Sequence, residues 1–481
     1  MHNRNSSEMF VFRPKGVFAQ YYAIICANLM TLLYGIAAGW ASNSLRILQS
    51  TDTPLTSGPL TLWESSWVGS ILCVGGAIGQ IFFSFMADRY GRKPGLAISF
   101  VPVVVSWLLI VFGQEFYALF VSRFLSGFIG GAAYQILPLL VSEVSNVEIR
   151  GILGSFLLLF TNLGILLGYI FCAFLPYRIV PWVAIGISCA FLVGFSIVPE
   201  TPKYLMMKGG TENDEKLKNS VEFFSGKPFV KEITVQRSNE EPSSIKLKSL
   251  FDVSTRNAFR LSLLLMSCCC FSGVFTVLQY TETIFSEAGS NLSPSTSSII
   301  VAVIQLAGSY FATIVVERAG RRILLLASSY GSAICLGVMG AHSFLKENDF
   351  DVSSFAWLPL LCLSLLLFIA ANGATTVSFI VIGEVFAQNV RGLAISLCLL
   401  YQWMLAFVLV LVFPFLIQYL QMSGALWVFT AIGTVIASIL VFILPETKGR
   451  TIDEIVDILG KNREKTEILA KSCSTEVSTK L

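Results

Sequence analysis

The residues best placed to do chemistry are two runs of acids and bases. Asp88-Arg89-Tyr90-Gly91-Arg92-Lys93 and Glu317-Arg318-Ala319-Gly320-Arg321-Arg322 share one order: acid, Arg, any residue, Gly, then two bases. Such a run can pair charges and meet anionic groups around a turn that the Gly relaxes, and it contains no nucleophile with its base. Two more signatures recur in the same order. Glu143 stands seven residues before Arg150-Gly151 and Glu384 seven before Arg391-Gly392, while Pro199-Glu200-Thr201 is matched by Pro445-Glu446-Thr447. The copies lie 229, 241 and 246 residues apart, so three pairs in register divide the chain into two homologous halves. Ordinary positive-inside charge requires no fixed order, and the repeated order therefore gives these loops a specific structural role.

Long apolar elements must hold these motifs. The 481-residue chain is 54% hydrophobic and 13% charged, with mean hydropathy +0.72, which is too apolar for a water-soluble globule and marks an integral membrane protein. Twelve stretches reach the roughly 20 residues that cross a bilayer as a helix. They lie near 18–40, 67–87, 95–113, 117–142, 151–175, 181–198, 258–281, 296–316, 323–342, 356–383, 392–420 and 424–444. Strand alternation is absent from them, which disfavours a β-barrel. With the amino terminus inside, the external loops hold only Arg46, Arg178 and Lys346 as bases, which predicts that both termini are cytoplasmic. The start of the chain, with Arg4, Arg13 and Lys15, lacks the short apolar core of a removable signal peptide.

Within the spans, the stretch from Phe18 to Trp40 carries no charge. Gly69, Gly75, Gly76 and Gly79 are read as close helix packing. Arg123 is a functional candidate as an intramembrane base, although two turns from its helix start it is equally able to snorkel to the outer surface. Ten of the eleven cysteines fall in spans, which argues against a disulfide framework. Cys268-Cys269-Cys270 point about 100° apart on a helix with no His nearby, so packing or pore lining is expected rather than a metal site. The only histidines, His2 and His342, sit in no constellation with an acid and a nucleophile, so neither an enzyme nor a cofactor is expected. Between the halves the chain is polar; Thr201 before Pro202 resembles a helix N-cap, which predicts short amphipathic helices before the charged stretch 227–249. Asn291-Leu292-Ser293 is an external glycosylation sequon disfavoured by Pro294, Asn5-Ser6-Ser7 is a cytoplasmic one, and the tail after Arg450 reads as a flexible end.

Taken together, the double basic loop, the Glu-to-Arg-Gly pairs, Pro199-Glu200-Thr201-Pro202 and Pro445-Glu446-Thr447-Lys448-Gly449-Arg450 resemble the sugar-porter family of the major facilitator superfamily, from about residue 20 to 455. Within it, Ser66-Trp67-Val68-Gly69 and Asn162-Leu163-Gly164-Ile165-Leu166-Leu167 look most like the insect facilitated trehalose transporter group. The resemblance implies an all-α membrane protein with the major facilitator fold: twelve transmembrane helices in two pseudo-symmetric six-helix bundles, with substrate held between them near the midplane. The chain then divides into a cytoplasmic N-terminus (1–17), a first bundle (18–199), a cytoplasmic linker with short helices (200–257), a second bundle (258–444) and a cytoplasmic tail (445–481).

The charged motifs make physical sense in that fold as a cytoplasmic gate of Asp88, Arg89, Arg92, Glu143, Arg150, Glu200, Glu317, Arg321, Arg322, Glu384, Arg391 and Glu446. Glu143 is expected to reach Arg391 or Arg321 of the other half, and Glu384 to reach Arg150 or Arg92, when that side closes. Exposed pairs contribute only about 0–1 kcal/mol each, but several formed together bias a two-state equilibrium by a few kcal/mol.

Sugar recognition in the family resembles a set of amides and aromatics, since amides both donate to and accept from hydroxyls and a ring covers a sugar's apolar face. Gln305 stands at the eighth-helix amide position and Trp403 at the eleventh-helix aromatic one, preceded by Gln402. Leu158 replaces the fifth-helix Gln, Cys269 and Cys270 the paired Gln of the seventh helix, Phe275 its Asn, Phe379 the tenth-helix Trp and Ala371 an acid. Asn162, Gln279 and Tyr280 restore polarity nearby, each with a plain helix–helix hydrogen bond as its alternative. Proton-driven sugar porters need an acid near the first-helix cavity, and this first helix has none. The expectation is a facilitative uniporter for trehalose or a related hexose-type sugar, multi-pass in the plasma membrane and monomeric, with the sugar and the lipid bilayer as partners and no nucleic acid. The eroded polar set leaves open a polyol or less polar solute, or a non-transporting sugar sensor.

Overall fold

The computed structural model describes residues 15–209, 211–226, 252–289, 292–387, 390–447, 454, 455 and 458, with side chains at 211–214 and 317–319 outside the description. Arg4, Asn5, Arg13, the charged stretch 227–249, Asn291, Lys448 to Arg450, Cys473 and the side chain of Glu317 therefore lie outside the described residues.

In the first half, α1 is Val17–Leu48, α2 Leu62–Tyr90, α3 Arg92–Ile98, α4 Phe100–Phe112, α5 Phe116–Val144, α6 Arg150–Phe174 and α7 Val180–Ser196. Two short helices follow, α8 (Pro202–Lys208) and α9 (Thr211–Ser225). The second half comprises α10 (Val253–Phe271), α11 (Val274–Ala288), α12 (Pro294–Ala319), α13 (Arg321–Glu347), α14 (Leu358–Ala370), α15 (Thr376–Val385) and α16 (Arg391–Ile443). Ten stretches of these helices are long and apolar enough to cross a membrane. The 17-residue apolar α7 adds a pass, and so does the second arm of α16, a 53-residue helix broken at Gln421 where φ is 61°. That makes twelve passes, with no strand among the described residues. Large apolar side chains such as Phe112, Phe174 and Phe442 stay exposed on the outside, as lipid-facing residues must.

Local chemistry sets the ends and breaks of these helices. A capping box starts α2: the Thr61 hydroxyl accepts from Glu64 N at 3.2 Å and the Glu64 carboxylate accepts from Thr61 N at 2.9 Å, several residues ahead of the predicted start at 67. Thr201 caps α8 as its spacing before Pro202 predicted. The predicted single span 258–281 is instead two helices, because Gly273 at φ 84° breaks the ladder between α10 and α11. A π turn at Ala371–Thr375 joins α14 to α15, and Ser328 of α13 stitches it by donating to Ile369 O at 2.8 Å and accepting from Ala374 N at 2.9 Å.

Tight crossings hold the first half together. At the α1–α6 crossing a Cβ on Gly35 would lie 2.2 Å from Thr161 O, and one on Gly164 would lie 2.2 Å from Leu32 O, so the two backbones touch. Between halves, α1 meets α11, α2 meets α16 and α6 meets α12. The sequence reading ended the first span at 40, yet α1 runs on to Leu48 because Ser42, Asn43 and Leu45 are buried there, Ser42 and Asn43 against Glu282 of the second half.

Candidate functional site

Two features stand out: a duplicated charged cradle at the end of the molecule bearing the sequence motifs, and a cavity between the halves. In the first cradle Gly91 turns the chain at φ 109°, and the freed N–H groups at the start of α3 meet the Glu200 carboxylate, from Arg92 N at 3.1 Å and Lys93 N at 3.0 Å. This is an anion held at a helix N-terminus. A Cβ on Gly91 would fall 2.2 Å from Glu200 Oε2, which explains the Gly of the motif. Burial pushes the Glu200 carboxyl up, while the N–H groups of Thr201, Lys93 and Arg92 and the Arg92 charge pull it back. The second cradle repeats the plan: Gly320 at φ 85° precedes α13, and Glu446 accepts from Arg321 N at 3.0 Å and Arg322 N at 3.2 Å.

The acids of the Glu-to-Arg-Gly pairs lean into these same cradles. Glu143 bonds Arg92 at 2.8 Å and accepts from the Thr201 hydroxyl at 2.6 Å, and Arg92 also donates to Ala87 O at 3.0 Å. Glu384 meets Arg321 at 3.4 Å, but its Oε2 and the Thr447 hydroxyl are buried without partners among the described residues. The expected pairs across the halves, Glu143 with Arg391 or Arg321 and Glu384 with Arg150 or Arg92, are therefore not made in this structure. Both oxygens of Glu143 are taken within its own half, by Arg92 and Thr201, whereas Glu384 meets only Arg321 among the described residues; the pairs across the halves are expected only in the state in which that side closes. Arg150 instead donates to Ser145 O at 3.3 Å, Arg322 bonds Val441 O, and Asp88 and Arg89 are exposed, with Arg89 over the Phe85 and Tyr90 rings.

The cavity, about 1050 Å³ of space free of protein atoms and partly open to solvent, lies between the halves. Its lining brings together six of the seven predicted substrate residues: Asn162, Gln279, Gln305, Phe379, Gln402 and Trp403. Tyr280 is the exception. It takes a non-helical conformation at φ −120°, and its hydroxyl donates to Val410 O at 3.2 Å while its ring packs on Phe413, so it belongs to the α11–α16 contact. Leu158, Phe275 and Ala371 do line the cavity, so those apolar replacements reach it. Cys269 and Cys270 do not line it, and their sulfurs contact Gln402 instead.

Across the cavity Gln305 donates to Asn162 Oδ1 at 3.0 Å and Asn162 donates to the Ser309 hydroxyl, a tie from α6 to α12. Gln305 Oε1 is buried and has no partner among the described residues, which leaves an acceptor facing the cavity. Tyr34, Tyr134, Thr161, Ser309, Thr375 and Thr376 also line the wall and were not singled out from the sequence. Tyr34 and Tyr134 pack edge-on against each other and against Trp403, with centroids 5.9–6.2 Å apart. A Tyr in a charge-free span was the available signal for Tyr34. Among the described residues, no lining side chain is charged.

At the end opposite the cradles, α1 and α11 are bound by a buried carboxylate. Glu282 accepts from Asn43 at 2.8 Å, its N–H donates to the Ser42 hydroxyl at 3.0 Å, and Arg46 lies 4.0 Å away. The Tyr169 hydroxyl adds a bond to Leu278 O at 2.8 Å. Arg123 is 1% exposed and bonded on all sides, so it does not snorkel.

Twelve passes in two repeated halves around an aromatic and amide-lined cavity are the architecture of the major facilitator fold. The family described as "Sugar (and other) transporter" matches residues 16–459, and the chain belongs to that family. The chain is 29% identical over 470 residues to facilitated trehalose transporter Tret1 of Drosophila virilis, covering 95% of this chain and 51% of that protein. It is 28% identical to Tret1 of Polypedilum vanderplanki over 475 residues, covering 96% and 93%. The chain thus spans about half the length of several curated relatives it matches. Its fold is similar to the inward open conformation of the xylose transporter XylE from E. coli, with TM-score 0.74, 21% identity and coverage of 91% of this chain and 99% of that one.

Proposed function

We propose that this protein is a facilitative carrier for trehalose or a related hexose-type sugar, working by alternating access as a monomer in the plasma membrane with both termini cytoplasmic. The observation that carries the reading is the cavity between the halves, whose polar groups are amides and hydroxyls flanked by rings and whose lining bears no charge among the described residues. Such a wall suits a neutral polyhydroxy solute and lacks an acid through which a proton could bias the motion. The similarity to facilitated trehalose transporters supports the choice of sugar. In this reading Gln305, Asn162, Gln279 and Gln402 hold hydroxyls, Trp403 and Phe379 cover the apolar face, and the cradles are the cytoplasmic gate between a first bundle over 18–199 and a second over 258–444.

Purified protein in liposomes, given labelled trehalose, glucose and a polyol, tests the reading. Saturable flux that equilibrates without accumulation, and that a pH gradient does not drive, is expected. Accumulation above the outside concentration would overturn uniport, and binding without flux would favour a sensor. Gln305→Ala removes one acceptor and should raise KM roughly two- to tenfold, the worth of one neutral hydrogen bond, with reconstituted protein unchanged in amount. An unchanged KM removes Gln305 from the site.

A further inference from the structure

Arg123 of α5 is fully buried, and each of its three nitrogens is used. Nε donates to Val68 O on α2 at 3.2 Å, one terminal nitrogen donates to Ala37 O on α1, and the other to Oε1 of Gln279 on α11 at 3.2 Å. Its carbon lies 5.7 Å from the Trp40 ring centroid. Among the described residues no carboxylate pairs with it, so carbonyl oxygens and a ring face meet the charge. A guanidinium only donates, and an amide facing it has to present oxygen. Gln279 also lines the cavity, and its Nε2 has no partner among the described residues. With Oε1 held by Arg123, the polar group this side chain offers to the cavity is a donor.

We propose that Arg123 is a positioning residue for substrate selection: it locks the Gln279 amide so that Nε2 donates to one solute oxygen. The inference rests on the sugar-carrier reading. A freely turning amide would present donor or acceptor as the ligand required and would discriminate little. Gln305 shows the complementary arrangement, with its nitrogen tied to Asn162 and its oxygen left free. The cavity therefore presents one fixed donor and one fixed acceptor, a pattern that selects among stereoisomeric and deoxy sugars.

The test measures KM and kcat in liposomes for the transported sugar and its full set of monodeoxy analogues, with the wild type, Arg123→Lys and Gln279→Glu. Wild type should disfavour the analogue lacking the Gln279-bound oxygen by roughly tenfold in kcat/KM, since a site built to bond an oxygen rejects its absence. In Gln279→Glu, where a carboxylate faces Arg123 and no donor remains, that one preference should collapse to near unity while the others persist. Arg123→Lys should lose the same single preference, because an ammonium lacks the planar fork. Arg123→Lys keeping every preference, or weakening all of them equally, overturns the positioning role. Should Arg123→Lys fail to fold, Gln279→Glu decides alone, and unaltered preferences there overturn the proposal. Absence of any sugar flux in the wild type, read before the variants, overturns the carrier reading instead and takes this inference with it.

Discussion

The two cradles share a blueprint and differ in how completely their side chains are satisfied. The Arg92 and Glu143 side chains are 6% and 3% exposed, whereas those of Arg321 and Glu384 are 18% and 26% exposed and the Glu384–Thr447 bond is missing. Removing one partner of a buried pair strands the other charge at a cost of about 3–5 kcal/mol, and a part-exposed pair contributes about 0–1 kcal/mol. Glu143→Ala should therefore lower the thermal midpoint in detergent far more than Glu384→Ala; equal shifts would show that the first cradle gains nothing from its burial. Gly91→Ala places a side chain at φ 109° against Glu200 and should cost about 1–3 kcal/mol in the same assay. The motif residues were legible because their order repeats, and repetition survives without any knowledge of geometry. Their partners were not: order along the chain says nothing about whether Glu143 reaches across the halves or into its own turn. Six of the seven candidate residues proposed from type and position stand together in one lining, while Tyr280 packs against Val410 and Phe413, a partner choice that no sequence spacing reveals.

At the level of helices, hydropathy marked all twelve passes, since a run of apolar residues has one use in a bilayer. The breaks at Gly273 and at Ala371–Thr375 escaped that reading because both lie inside long uncharged runs within spans of high mean hydropathy. The α1–α6 crossing leaves no room for a side chain, with Cβ-to-carbonyl distances of 2.2 Å on both sides. Gly164→Leu should force α1 and α6 apart and reduce the yield of folded protein on size-exclusion chromatography, and a normal monodisperse yield would mean that the two helices separate without penalty.

For the molecule as a whole, the hydrogen-bonded side chains that join the halves are not evenly spread. The α1–α11 end is tied through Glu282, Asn43, Ser42 and Tyr169, while the acids of the cradles bond within their own halves. Gln80 donating to Ser396 O at 3.2 Å is a bridge from α2 to the start of α16. Glu282→Ala removes the buried acid that gathers Asn43 and Arg46, and spin-label distances between α1 and α11 should lengthen, with the population shifting by about one to a few kcal/mol. Distances unchanged by the substitution would assign the closure to packing alone.

The amide tie from Asn162 to Gln305 and Ser309 also bears on the journey without cargo. A passive carrier must swing back unloaded, and bare polar groups facing an emptied chamber would slow that swing. On the carrier reading proposed above, these side chains, by bonding one another, stand in for the absent solute and cheapen the return leg. Asn162→Ala should therefore slow one-way flux more than it slows exchange of labelled for unlabelled solute, so that trans-acceleration exceeds that of the wild type.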